Sequence, residues 1–143
     1  MKREPRPASA STRGLALALL LAGLGGAACG GDETSEPIPP HLSTIESEIF
    51  ARNCTFSSCH GAGSPQMGMS LVAPAFAAIS GVPSTEVPEM MRVAPGDPDA
   101  SYLLQKITSA TPLDGVRMPP DQPLPPHKIE AVRLWIAAGA QDD

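Results

Sequence analysis

Seventeen prolines punctuate this chain of 143 residues, and their placement limits what it can fold into. Proline fixes φ near about −65° and lacks an amide hydrogen, so it is excluded from helix interiors and central strands. The stretches "GAGSPQMGMSLVAP", "VPSTEVPEMMRVAPG" and "TPLDGVRMPPDQPLPP" therefore read as loops. Helices fit only between them. "STIESEIFARN", Ser43 to Asn53, offers a capping box in Ser43 and Glu46, with Ile45 and Ile49 at helical spacing and Phe50 beside them. "APAFAAISG" predicts a brief helix ending near Gly81. "DPDASYLLQKITSA" predicts a helix with Asp97 as N-cap, Pro98 at the first helical position, and an apolar face of Tyr102, Leu103, Leu104 and Ile107. "PHKIEAVRLWIAAGA" is the most periodic segment, with Ile129, Val132, Leu134, Trp135 and Ile136 apolar and Gly139 at its end. No strand pattern and no repeat stands out. The expected fold class is all-α: three to four short helices joined by long loops.

Such a chain makes a poor core by itself. Phe, Trp and Tyr together number five, and long structureless loops ordinarily count against a small compact domain. The composition therefore asks for something large and apolar to fold around.

The first residues belong to a different class of sequence. "MKREPRPASASTR" is basic, and "GLALALLLAGLGGAAC" is an apolar run too short for an ordinary spanning helix of about 20 residues. This is the pattern of an export signal over residues 1–28. "LGGAAC" resembles the lipobox of bacterial lipoproteins, in which the cysteine, here Cys29, becomes the lipid-modified first residue. Gly26 stands where that motif usually has Leu, so ordinary signal-peptidase cleavage or an uncleaved anchor stays open. Gly30 is not the Asp that resembles an inner-membrane retention signal, which favours an outer-membrane anchor facing the periplasm. Residues 29–42 then read as a flexible tether and 43–141 as the folded domain.

Without residues 1–28 the chain keeps six Lys and Arg against fourteen Asp and Glu, a formal charge of 6 − 14 = −8. That balance argues against nucleic acid or anionic lipid as the main partner and suits a basic protein partner. The cysteine count closes as well. Of three cysteines, an odd number for an exported chain, Cys29 takes the lipid and leaves Cys54 and Cys59 as a pair.

That pair lies in "NCTFSSCHG", and three chemistries want such a grouping. A disulfide between Cys54 and Cys59 suits export but closes only a small loop, worth a few kcal/mol at most, and gives His60 no role. A zinc site needs four ligands, and no second Cys or His pair exists to complete one. Covalent haem attachment uses all three residues: two thioethers from Cys54 and Cys59, and an iron ligand from His60. Its usual signal is C-x-x-C-H; here the spacing is C-x-x-x-x-C-H, two residues longer, with "TFSS" able to bulge between the thioethers. A sixth iron ligand is available in Met118 of "VRMPPDQP", 58 residues beyond His60 (118 − 60), on a loop stiffened by Pro119 and Pro120.

"CTFSSCHG", "RVAPGDPDASYLLQKI", "RMPP" and "LPPHKIEAVRLWIAAGA", in that order, resemble a mono-haem class I cytochrome c domain, especially those of bacterial lipoproteins with the longer cysteine spacing. The resemblance covers about Ser43 to Ala140. It implies the cytochrome c fold, with the first and last helices crossing near a covalently bound haem c. It also implies Cys54 and Cys59 as attachment cysteines, His60 as proximal ligand and Met118 as distal ligand. The implied function is one-electron transfer between redox proteins, with no open iron site, no enzymatic activity and no small-molecule substrate. The rival is a haem-free lipoprotein module with a Cys54–Cys59 disulfide, acting in adhesion or scaffolding. Among other candidate ligands, Met67, Met69, Met90 and Met91 read as packing, His127 as a solvent-facing first-turn residue, and His41 as part of the tether. Arg117 is either a propionate partner or a surface residue, and Trp135 is expected between helix and haem.

Overall fold

The computed structural model describes residues 36–143, so the export signal and Cys29 lie outside the described residues. Five α-helical segments occur in order: α1 (Leu42–Ile45), α2 (Ala51–Asn53), α3 (Phe76–Ile79), α4 (Tyr102–Thr108) and α5 (Pro126–Ala137). A π-helical turn at Glu46–Phe50 joins α1 to α2, so the chain is helical without a break from Leu42 to Asn53. Among the described residues there is no strand, only isolated bridges such as Ser80 with Val93 and Pro83 with Met91. The architecture is helical, as the proline pattern requires. None of the described helices is long and apolar enough to cross a membrane.

The first helix starts one residue earlier than the sequence suggests and is capped differently. The Ser43–Glu46 capping box does not form. His41 is the N-cap residue and makes no side-chain capping bond. Instead Asp143 closes the helix start: its Oδ1 accepts from the Leu42 amide at 2.8 Å, and its backbone oxygen accepts from the Ser43 amide at 2.9 Å. His41 Nδ1 lies 2.7 Å from Asp143 Oδ2. Glu46, freed from the box, accepts the Ala75 amide at 2.6 Å and holds the start of α3. Leu42 and Ile38, assigned by sequence to the tether, are respectively buried in the core and packed against it.

The second expected start also moves. Asp97 does not cap a helix; its Oδ1 accepts from the Asp99 and Ala100 amides, both at 3.1 Å, and makes a local turn. A short carboxylate bonded two and three residues ahead competes with helix in this way. Ser101 Oγ donates to the Asp97 carbonyl at 2.7 Å, and α4 begins only at Tyr102. Its apolar face is as expected, with Tyr102, Leu103, Leu104 and Ile107 buried. Pro126 at the first position of α5 matches the rule that proline's missing amide costs nothing there. Leu134 departs from the periodic reading: it is 40% exposed, while Ala131 takes the inward position.

The chain does build a core of its own. Trp135, Ile45, Ile49, Val132 and Ile136 are almost fully buried, and α5 packs against both α1 and α4. Trp135 sits within this core and donates its Nε1 hydrogen to the Gln141 carbonyl at 2.8 Å. The protein interior is therefore not left entirely to a ligand. Beside the core, however, it opens into one large cavity.

Candidate functional site

A cavity of about 600 Å³ lies between the end of α2, α4 and the loops around residues 54–71, 84–92 and 118–124. Its size falls within the range of small-molecule and cofactor sites. Cys54, Cys59, His60 and Met118 all line it. The sequence singled out these four residues, and the fold brings them to one space although Met118 is 58 positions beyond His60.

Backbone hydrogen bonds fix the motif. The Cys54 amide continues the helix by donating to Phe50 O at 2.8 Å, and Cys54 then leaves helical geometry. The Cys59 amide donates to Phe56 O at 2.9 Å, closing a turn over "FSSC". The His60 amide reaches back to Cys54 O at 3.0 Å, so the two added residues loop outward while Cys54 and His60 stay together. Phe56, at the head of that turn, is 58% exposed yet lines the cavity. Gly61 is buried directly behind the turn. A Cβ there would lie 3.0 Å from Thr55 O and 3.1 Å from Phe56 O, so the close return of the turn requires glycine.

The His60 ring is oriented by one bond. Its Nδ1 lies 3.0 Å from the Met69 carbonyl, which can only accept, so Nδ1 carries the hydrogen. In the neutral ring Nε2 then holds the lone pair. This is the tautomer in which a histidine is ready to ligate through Nε2, and an outer carbonyl partner of this kind fixes ring orientation. Met69 is thus both a wall residue and, through its backbone, the support of His60.

Both Cys54 and Cys59 are free and half-buried. Burial, followed by the neighbouring Cys59 sulfur, pushes the Cys54 thiol up to about 12, against a weaker opposite pull from Lys128. Lys128 itself donates to Asn53 Oδ1 at 2.9 Å, tying the start of α5 to the end of α2 beside the motif. On the far side, the Met118 amide donates to Lys106 O at 2.7 Å, which anchors the methionine loop on α4. The Met118–Pro119 peptide is cis.

Other wall residues escaped the sequence reading. Lys106 is 8% exposed and pairs with Glu86 at 3.0 Å, with a second bond from Nζ to Asp114 O at 3.2 Å. Tyr102 donates its hydroxyl to the same carbonyl at 2.9 Å. Burial, then the Glu86 charge, pushes the Tyr102 phenol up. Arg92 has no acidic partner among the described residues. Its guanidinium donates to Ala78 O at 2.8 Å, Met67 O at 3.0 Å and Thr85 Oγ1 at 3.2 Å, joining α3 to the segments around Met67 and Thr85. The helical spacing of Tyr102 and Lys106 was a signal for this cluster, since it places a lysine on the buried face of α4.

The remaining candidates separate cleanly. Met67 and Met69 line the cavity; Met90, Met91, His127 and Trp135 do not. His127 is half-buried rather than solvent-facing. Trp135 belongs to the core instead of standing between helix and cavity. Arg117 is half-buried, and its Nε is buried without a hydrogen-bond partner. Among the described residues, no three His, Cys, Asp or Glu side chains converge as a metal site.

No family model matches this chain, and neither does any curated protein or solved structure compared with it.

Proposed function

We propose that the cavity is a haem c site and that the protein carries single electrons between redox proteins. The observation that carries this reading is the meeting of Cys54, Cys59, His60 and Met118 on the wall of one cavity. The donor set fits the group. Two thiols on one short turn suit thioether bonds to two vinyl carbons, an Nε2-ready imidazole suits iron, and a thioether sulfur is a soft ligand that favours the reduced metal. Arg117, next to Met118, does not line the cavity, whereas Arg92 does.

A bound haem would supply the one-electron couple of its iron. The chain's own residues do the rest. Cys54 and Cys59 would fix the ring's position covalently. Met69 O holds the His60 tautomer, and the Lys106 carbonyl holds the methionine loop. The core of α1, α4 and α5 provides the rigid frame that keeps reorganisation small. The cytochrome c-like arrangement of these helices is part of the same proposal, as are export and a lipid anchor on Cys29. The acidic balance of the chain suits partners with basic docking surfaces.

The test is a visible spectrum of the full chain made in cells with active haem-attachment machinery, before and after acid–acetone extraction. Colour that stays with the polypeptide is expected. Colourless, folded protein with a Cys54–Cys59 disulfide would overturn the reading in favour of the haem-free module. Met118→Ala should keep the haem but lower its potential. An unchanged spectrum and potential would remove Met118 from the iron.

A further inference from the structure

Met67 is at odds with local backbone rules. Its φ of 53° and ψ of 25° lie in the left-handed region, which a side chain with a Cβ rarely enters outside Asn and Asp. Gly68 follows with φ of 62°, so two successive residues are left-handed, and only the second is glycine. The surroundings hold the first one in place. Met67 O accepts from Arg92 at 3.0 Å and from Thr85 at 3.2 Å, and Arg92 is itself fastened to Ala78. A glycine at 67 would meet those same carbonyl bonds without the strain. The methionine side chain is therefore the unexplained element.

The side chain has a definite place. Met67 is 51% exposed and also lines the cavity, so it stands at the mouth. Arg92 and Thr85, which clamp its carbonyl, come from the segment 84–92 and line the same cavity. The clamp thus ties two wall segments of the cavity together, and beside it stands a long, flexible, apolar side chain that is half exposed. Strain held by surrounding structure at the edge of a site is the pattern of a functional residue.

We infer that Met67 is the cover of this cavity, a positioning residue whose strained backbone sets the thioether side chain across the mouth and limits entry of water and small oxidants. What lies beneath the cover rests on the haem reading; the cover itself does not. A methionine suits the task because its unbranched, soft side chain adapts to the edge it closes.

The experiment compares Met67→Gly and Met67→Leu with the parent full chain. Leu keeps an apolar cover and the strain; Gly removes both. In haem-loaded protein, the reduced form of Met67→Gly should be oxidised by dioxygen several-fold faster than the parent, while Met67→Leu stays near it. The glycine variant should also resist denaturant better, by about fivefold in the folding equilibrium, because left-handed strain is relieved. A merely structural methionine would give the stability gain without the change in oxidation rate, and that result would overturn the inference. If the parent carries no haem, the haem reading fails separately, and the mouth is read by iodoacetamide labelling of Cys59 in protein first reduced with a phosphine, so that the thiol is free. Faster labelling in Met67→Gly then supports the cover, and an equal rate overturns it.

Discussion

Gly61→Ala tests whether the long cysteine turn folds as described. Gly61 is not in the left-handed region, so alanine meets no backbone penalty there. Its methyl group, however, would lie 3.0 Å from Thr55 O and 3.1 Å from Phe56 O, both main-chain atoms that no rotamer change can move. The turn must give by a few tenths of an ångström. Overpacking of this kind costs about 1–3 kcal/mol. Replacing glycine also restricts the unfolded chain, which offsets about 0.4–1 kcal/mol. The expected net loss is ~1–2 kcal/mol, read as a fall of about 0.3–0.5 M in the guanidinium midpoint with an unchanged slope. Gly63→Ala is the matched control: its Cβ would meet nothing within 4 Å and its backbone is not left-handed. That variant should be neutral or slightly stabilised. Equal stability of the two variants would refute the close return of the turn onto Gly61.

In the haem-free chain, Cys54 should be the slow thiol. With its pKa raised from 9.0 to about 12, the folded protein prefers the neutral thiol. The associated stability is present below pH 9 and is lost as pH rises toward 12; Cys54→Ser should flatten that alkaline decline in a pH series of melting curves. Breaking the Lys106–Glu86 pair on one side should cost more than removing it whole. Glu86→Ala leaves a lysine 8% exposed without its carboxylate and should destabilise by about 3–5 kcal/mol, whereas Glu86→Leu with Lys106→Met should cost clearly less in urea melts.

The parts of this protein written locally were legible in its sequence. Pro126 at the start of α5 and the apolar face of α4 depend on neighbours three or four positions away, and both are as expected. The parts that depend on distant partners were not. Ser43 and Glu46 have the spacing of a capping box, but Asp143 takes the amides of Leu42 and Ser43, and Glu46 goes to Ala75. Asp97 and Pro98 have the composition of a helix start, yet the carboxylate closes a turn first. Cys54, Cys59, His60 and Met118 could be singled out in the sequence because that combination of side chains is rare, and all four line one cavity. Arg92, Glu86 and Lys106 were not singled out, since a charged residue reads as surface until the fold surrounds it. Met67 was read as packing, but it is 51% exposed, and its significance lies in a backbone angle that no sequence pattern announces.

The seat of Asp143 on the first turn of α1 brings the two extremities of the folded stretch to one corner. A unit with adjoining ends can be spliced into a surface loop of a larger host, or strung in series, without a connecting strand crossing its face. It also invites re-cutting: joining residue 143 to the region of Pro40 by a short glycine linker and opening the exposed Ala110–Thr111 peptide would give a permuted chain. In that rearranged order Met118 would precede Cys54, so ligand order along the polypeptide would be separated from ligand geometry in space.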